Sequence, residues 1–244
     1  MSDTSDETEI PDELERFVKN LEREESEGHW GFTVYTTYPI PSTATSTLEA
    51  STDEAFDKSV CERFQSYIAA YLRFEAEKPY GVKIPLHIEY IRLPSASLYD
   101  ARTHFRAKYG WPVKYQEGKE ERTHEHHDMR HRYFVVINEE TIKTLFDAPE
   151  AIAKIRRGLD YREVTEKEDE IVITVVQVDY NEACEGIIFA TASRQPTKGS
   201  SDCTTFYSYI KTTPRWLKEI WLEIIDMDVQ FLFKHKDHVY KGGW

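Results

Sequence analysis

The sequence is poor in cysteine and has no long apolar run, and these two absences exclude several classes of protein. Its three cysteines, in 244 residues, form neither a CxxC pair nor the even set that a disulfide framework needs. No apolar run approaches the roughly 20 residues of a membrane-spanning helix. The acidic N-terminus has no basic stretch followed by an apolar one, as a secretory signal would have. We therefore expect a cytoplasmic protein with reduced thiols and no membrane segment.

The common catalytic and cofactor motifs are also missing. The sequence contains no GxSxG, HExxH or GxGxxG pattern and no acidic metal-binding loop. Each of these patterns places reactive or ligand-holding groups on one short piece of backbone. Their absence leaves no cofactor-binding residue to name and makes enzymatic activity an open question.

Negative charge is abundant but unevenly distributed. The net charge of the chain is −13. Residues 1–28 hold eleven acids and three bases, a net charge of −8, which leaves −5 for the other residues. A mildly acidic body lacks the positive charge that neutralises phosphates, so we do not expect nucleic acid among the partners. We expect a protein partner or a small molecule, and the sequence leaves the oligomeric state open.

The acidic N-terminal segment, residues 1–28, is predicted to be partly disordered and to contain one charged helix. Its first ten residues are polar and acidic, and Pro11 begins a helical pattern that ends before Gly28. Apolar residues at helical spacing form one narrow stripe on this helix: Leu14, Phe17, Val18 and Leu21. Such a stripe can dock on its own domain or on a partner, and the sequence does not decide between them.

The remaining chain is organised around the apolar run 133–137. This run, Tyr-Phe-Val-Val-Ile, does not alternate with polar residues, which predicts a strand that is buried on both faces. Asn138 stops the run and is a good N-cap for a following helix. Glu139 and Glu140 then place negative charge in its first turn. The predicted apolar face of that helix consists of Ile142, Leu145 and Phe146.

The fold predicted for residues 29–244 is a single α+β domain with a mixed or antiparallel sheet packed by helices, because strands and helices alternate irregularly. The second strongly apolar strand, 171–180, should lie beside the strand at 133–138. Thr213, followed by Pro214, is predicted to cap the last helix. The predicted core consists of strands 32–38, 86–93, 133–138 and 171–180 and of helices 53–76 and 214–226. On the helix at 53–76, Phe56 is predicted to face inward.

A histidine-rich stretch, residues 113–131, is predicted to be a long exposed loop, and it is a candidate metal site. It is polar and almost devoid of aliphatic residues, and its candidate zinc ligands are His124, His126, His127 and His131. The spacing of two suits a strand and the spacing of four suits a helix, so one regular element cannot use both. The alternative is a solvated loop that binds no metal.

Asp100 and His104 are the candidate catalytic residues. They lie four apart on a predicted short helix and therefore share a face. A carboxylate that orients a histidine can produce a general base, whereas the alternative is an ordinary surface pair. Fifteen tyrosines and five tryptophans could line a pocket for a small ligand nearby, or could belong to the core and its rim.

Two segments resemble a widespread group of small uncharacterised cytosolic proteins of filamentous fungi. The first is Gly-Phe-Thr-Val-Tyr-Thr-Thr-Tyr at 31–38, and the second is Arg-Tyr-Phe-Val-Val-Ile-Asn-Glu-Glu at 132–140. The chain departs from the group at Thr36, where the group usually has Arg, and at Asn138, where it usually has Asp. The group has no agreed activity, so the resemblance assigns no catalytic residue. It implies a cytosolic fungal protein, with a link to secondary metabolism.

Three functions follow as hypotheses. The first is an intracellular fungal accessory or interaction protein. The second is a small-molecule-converting enzyme with an aromatic-lined pocket beside Asp100 and His104. The third is a metal-binding protein that uses the histidine-rich loop.

Overall fold

The computed structural model describes residues 10–23, 30–39, 50–110, 132–147, 171–178, 188–190, 203–205, 209–226 and 239–240. The helices are α1 (Asp12–Arg23), α2 (Ala50–Leu72), α3 (Lys78–Tyr80), α4 (Leu98–Lys108), α5 (Glu139–Asp147) and α6 (Leu217–Asp226). The strands are β1 (Trp30–Thr36), β2 (Leu86–Arg92), β3 (Tyr133–Ile137), β4 (Ile173–Gln177), β5 (Ile188–Ala190), β6 (Cys203–Thr205), β7 (Tyr209–Thr212) and β8 (Val239–Tyr240). A π-helical turn, Arg73–Glu77, joins α2 to α3, and a 3-10 turn, Pro214–Trp216, precedes α6.

The main sheet is mixed, which confirms the predicted α+β class. Its strand order is β2-β1-β3-β4-β7-β8. The pairs β2–β1 and β1–β3 are parallel, β3–β4 and β4–β7 are antiparallel, and β7–β8 is parallel again. Strands β5 and β6 form a separate antiparallel pair. The sheet therefore has a parallel half built by the first three strands and a half that is mainly antiparallel.

The parallel half winds around β1 in two directions. The chain passes from β1 through α2 to β2 on one side, and from β2 through α4 to β3 on the other side. Right-handed crossovers in opposite directions place their helices on opposite faces of a sheet. Accordingly, Phe64 of α2 packs with Val34 and Val135, whereas Phe105 of α4 packs with Tyr35 and Phe134.

The strand at the centre of the sequence is also central in the fold. All five residues of β3 are buried. Val135 pairs with Val175 of β4, which confirms the predicted neighbourhood of the two apolar runs. The side-chain oxygen of Asn138 accepts a hydrogen bond from the backbone N–H of Thr141 at 3.0 Å, which confirms the predicted N-cap of α5.

Alternation along β1 separates two apolar clusters. Side chains of successive strand residues point to opposite faces, so the even-numbered Trp30, Phe32 and Val34 face α1, α2 and α6. Tyr35 faces α4. The N-terminal helix belongs to the first cluster through Leu14, Phe17 and Leu21, whose stripe packs on the chain's own domain.

Three local predictions were wrong. Phe56 and Phe146 were expected inward, but they are 40% and 37% exposed. Phe56 lies one turn before the buried Val60 of α2, and Phe146 directly follows the buried Leu145 of α5. Thr213 occupies the N-cap position of the 3-10 turn, but its side chain makes no capping bond, and its buried hydroxyl has no hydrogen-bond partner within the described ranges. The predicted histidine-rich loop lies outside the described residues.

Within the described ranges, no helix is both long enough and apolar enough to cross a membrane.

Candidate functional site

The carboxyl ends of β1, β2 and β3 meet at one edge of the sheet. Because the three strands are parallel, their last residues, Thr36, Arg92 and Ile137, lie side by side in the order β2-β1-β3. The first crossover leaves β1 at this edge toward β2, and the second leaves β2 in the opposite direction, past β1, toward β3. In open sheets of this kind, ligands bind in the crevice outside the carboxyl ends of the strands, where the strand order reverses.

A polar group of side chains, the strand-end cluster, occupies this edge: Tyr38, Asp57 and Arg92. The Nε of Arg92 lies 3.1 Å from Oδ2 of Asp57, and its guanidinium carbon lies 3.9 Å from the centre of the Tyr38 ring. The Tyr38 hydroxyl donates to the Asp57 carboxylate, and Arg92 donates to the carbonyl of Thr36 at 3.3 Å. The cation is thus held by an anion, a ring face and a backbone oxygen at once.

Tyr38 and the neighbouring Cys61 keep their protons at neutral pH. Burial, followed by the hydrogen bond to Asp57, raises the pKa of Tyr38 above its usual value. Burial, followed by the charge of Asp57, raises the pKa of the Cys61 thiol to about 11. Since a thiolate is the reactive form of cysteine, Cys61 is a poor nucleophile here.

Two exposed phenylalanines continue the strand-end cluster onto the surface. The rings of Phe56 and Phe146 stack with centroids 5.6 Å apart and planes 15° apart. The guanidinium carbon of Arg63 lies 5.1 Å from the Phe146 centroid, and Phe56 also contacts the ring of Tyr38 edge to face. Phe56, Arg63 and Phe146 form what we call the aromatic surface.

A second polar group, the α4-side network, lies on the opposite face of β1 and begins with Tyr35 and His104. The Tyr35 hydroxyl lies 2.9 Å from Nδ1 of His104. Tyr35 is completely buried, whereas His104 is exposed. Burial, followed by the nearby Tyr109 and Glu89, raises the pKa of Tyr35, so this phenol stays protonated. A buried O–H needs an acceptor, and Nδ1 of His104 accepts in the tautomer that carries the ring proton on Nε2.

Glu89, Lys108 and Tyr109 complete the α4-side network. The carboxylate of Glu89 accepts hydrogen bonds from Lys108 Nζ at 2.5 Å and from the Tyr109 hydroxyl. The Tyr109 hydroxyl also lies 2.9 Å from Oγ1 of Thr33. Burial alone would raise the pKa of Glu89, but the bonds from Lys108 and Tyr109, with the charges of Lys108 and His87, lower it. The Glu89 side chain of β2 is therefore stabilised as a carboxylate.

Asp100 and His104, the predicted pair, bond different partners. Asp100 accepts hydrogen bonds from Ser97 N at 2.9 Å and from Ser97 Oγ at 2.7 Å, and Ser97 Oγ in turn accepts from Asp100 N. This reciprocal arrangement is a capping box at the start of α4. The bonds from Ser97 lower the pKa of Asp100. The carboxylate fixes the helix start, and the group that His104 contacts is a tyrosine.

Metal ligands are not grouped within the described part of the chain. No cluster of three or more His, Cys, Asp or Glu side chains there could hold a metal ion. The four histidines of the predicted zinc site, His124, His126, His127 and His131, lie outside the described residues. A bound zinc ion therefore stays a prediction about that segment.

Sequence reasoning missed the strand-end cluster. Tyr38 follows β1, Asp57 lies in α2 and Arg92 ends β2, and nothing in their spacing connects them. Predicting the parallel pairing of β1 and β2 would have brought Tyr38 and Arg92 to one edge. The usable signal was the order strand, long helix, strand over 32–93, which is typical of a parallel βαβ unit.

Comparison of the chain with protein-family models, with curated proteins and with solved structures found no match in any of the three. The contacts described above therefore carry the functional argument.

Proposed function

We propose that this chain is an accessory protein that binds a protein partner through the aromatic surface. The observation that carries the proposal is the stacked pair Phe56–Phe146, two large apolar side chains that stay more than a third exposed. Single exposed apolar residues are ordinary, but a stacked pair forms a continuous apolar patch.

The aromatic surface is held rigidly by the residues beneath it. Val60 and Phe64, the next core residues of α2, are completely buried, as is Leu145 of α5. The cap at Asn138 fixes the start of α5, and Tyr38 supports the Phe56 ring from the strand-end cluster. A preorganised surface loses little side-chain entropy when a partner binds, which favours affinity.

The composition of the aromatic surface is that of an interface centre. Aromatic residues and arginine are enriched where protein partners meet, and truncating such residues removes much of the binding energy. Arg63 lies over the face of Phe146, so its cation covers part of the ring without hiding the pair from solvent. We expect the partner to insert an apolar side chain against the two phenyl rings.

The test compares one double serine variant and one single serine variant with the wild-type full chain. Phe56→Ser with Phe146→Ser removes the stacked pair, while Tyr99→Ser removes an aromatic ring of α4 that is 59% exposed. Partners captured from the native host would be purified, and direct binding would be measured by calorimetry. We expect the double variant to weaken binding at least tenfold and Tyr99→Ser to leave it unchanged. Equal binding by all three chains would refute the proposal.

The second candidate function is small-molecule conversion at His104. The observation that favours it is the bond between the buried Tyr35 hydroxyl and Nδ1 of His104. If Tyr35 donates, the Nε2 nitrogen carries the ring proton and faces outward as a general acid. Ligands that co-purify with the chain, identified by mass spectrometry, test this function. Turnover of such a ligand that is lost in His104→Gln but kept in Asp100→Asn would support it.

Three finer proposals follow from the sequence. The resemblance to fungal cytosolic proteins supports a cytoplasmic location and a link to secondary metabolism, which microscopy of a tagged chain and deletion in the host would test. The spacing of the histidines supports zinc binding. Elemental analysis of the wild type and of a chain carrying His124→Ala and His126→Ala tests it, since stoichiometric zinc should disappear from the variant.

A further inference from the structure

Helix α1 lies in a groove whose walls come from three other elements. Phe17 of α1 is completely buried, and its ring centroid lies 5.7 Å from Trp30 of β1 and 5.0 Å from Trp221 of α6, edge to face in both contacts. Tyr71, near the end of α2, belongs to the same apolar cluster. The anchors Leu14, Phe17 and Leu21 follow the spacing i, i+3, i+7, by which an amphipathic helix binds a hydrophobic groove.

The groove walls are fixed by contacts that do not involve α1. Trp30 begins β1, which pairs with β2 along its length and with β3. Helix α2 is anchored to the sheet by Phe64 and Ile68, both completely buried. By contrast, α1 is a helix of 12 residues, and helices of this length are marginal in water unless they pack on something. The groove thus resembles a formed site and α1 resembles its ligand.

The fit between α1 and the groove is incomplete in two independent ways. The indole N–H groups of Trp30 and Trp221 are both buried and have no hydrogen-bond partner among the residues that the structure describes. Buried donors without acceptors oppose the packed state. In addition, Glu219 of α6 is half-buried close to Glu13 of α1 and Glu75, with Lys218 and Arg215 as the opposing charges. Burial and the two carboxylates raise the pKa of Glu219 to about 7, so ionisation opposes docking.

We propose that the groove beneath α1 is a helix-binding site, that α1 is a releasable occupant, and that the α1 of a second copy of this chain binds in its place. The structure itself supplies the argument for this occupant. Any groove that accepts Leu14, Phe17 and Leu21 from its own chain accepts the same side chains from an identical one, because every contact is reproduced. The exchange needs no new surface.

The test titrates a fluorescein-labelled peptide of residues 10–23 with the full chain. Phe17→Asp in the full chain releases the resident helix and leaves the groove walls intact. We expect this variant to bind the peptide at least tenfold more tightly than the wild type does. A peptide that itself carries Phe17→Asp, or a scrambled peptide of equal composition, should not bind. Circular dichroism checks that the variant is folded, and Leu14→Asp replaces it if it is not.

Three results would overturn the proposal. A folded variant that does not bind the peptide shows that the groove is no helix site. Equal binding by the variant and the wild type shows that the peptide binds elsewhere. Equal binding of an unrelated amphipathic helix with the same apolar spacing shows that the second copy is not the specific occupant. Failure of the Phe56–Phe146 experiment would leave this outcome unaffected, since the two surfaces share no residue.

Discussion

The two faces of the parallel half-sheet differ in the size of their apolar clusters and in how their buried polar groups are hydrogen-bonded. The face under α1, α2 and α6 holds a large apolar cluster with Trp30, Val34 and Phe64, and two of its buried indole donors lack an acceptor in the described part of the chain. The face under α4 holds a smaller apolar cluster, and its buried Tyr35 hydroxyl is bonded to His104. A small face can satisfy its polar groups because solvent-reaching partners lie close to them. A large face gains more from burial and tolerates unmet donors.

A substitution at Gly31 tests whether both faces of the sheet depend on the pairing of β1 with β2. A Cβ at position 31 would collide with the backbone carbonyl of His87 in the paired strand, and backbone cannot move aside cheaply. Gly31→Val should therefore cost more than about 4 kcal/mol of unfolding free energy, or prevent folding, because it separates β1 from β2. Urea denaturation measures the effect. Gly81→Ala, at φ +70° with open space around it, is the control and should cost about 1 kcal/mol.

Phe64 and Phe105 compare the packing of the two faces directly. Both are completely buried phenylalanines, one in α2 and one in α4. Replacing either with Ala should cost about 3–5 kcal/mol, with Phe64→Ala at the upper end because its cluster is larger. Urea denaturation at one pH measures both. A loss below about 1 kcal/mol for Phe105→Ala would show that the α4 face contributes little packing.

Asn138 and Thr213 compare two residues predicted as caps. Asn138 accepts a bond from Thr141 N, so Asn138→Ala should cost about 1 kcal/mol. The buried Thr213 hydroxyl has no partner among the described residues, so Thr213→Val, which keeps the side-chain shape, should be neutral or stabilise by up to about 1 kcal/mol. Thermal unfolding of both variants measures the difference. A Thr213→Val chain destabilised as much as Asn138→Ala would contradict this assignment.

Glu219 and Glu89 compare the faces by pH. Burial and neighbouring carboxylates raise the pKa of Glu219 from 4.5 to about 7, so its contribution to stability is present below 4.5 and is lost as the pH rises through 7. The pKa of Glu89 is lowered, so its contribution is present above 4.5 and is lost as the pH falls through the lowered value. The two carboxyl groups therefore act with opposite sign.

Unfolding measured at about pH 5.5 and about pH 8 separates the two groups. The wild type should lose unfolding free energy between the lower and the higher pH, and this loss should be smaller in Glu219→Gln. Glu89→Gln should cost roughly 0.5 kcal/mol at both values, because the Lys108–Glu89 pair is partly exposed. An unchanged pH profile in Glu219→Gln would show that this carboxyl group is not the one that titrates.

The resemblance between predicted and observed elements is closest where a signal is local. The strand at 133–137, its burial on both faces and the cap at Asn138 all follow from residues within one turn of each other. The helix at 98–108 likewise begins at a capping box whose members, Ser97 and Asp100, lie three apart. Phe56 and Phe146 were predicted to face the core but are exposed. An apolar stripe shows which face of a helix packs on the core, but it does not show how far along the helix that packing extends.

The contacts within the candidate sites were not predicted, because the residues that make them are distant in the sequence. Tyr38 and Asp57 lie 19 residues apart, and Tyr35 and His104 lie 69 apart. No spacing rule connects such residues, since their contact depends on which strands pair and in which direction. Asp100 was predicted as the partner of His104 from helical spacing, and the structure adds a hydrogen bond between His104 and Tyr35 of β1.

By itself, the sequence determined where strands and helices form, which runs are buried and how α5 begins, because these depend on hydrogen bonds and side-chain alternation over a few residues. Only the tertiary structure decided that β1, β2 and β3 are parallel, and so which side chains meet at their carboxyl ends. The reason is that strand direction and order are chosen by long-range packing of whole faces, to which each residue contributes a small share.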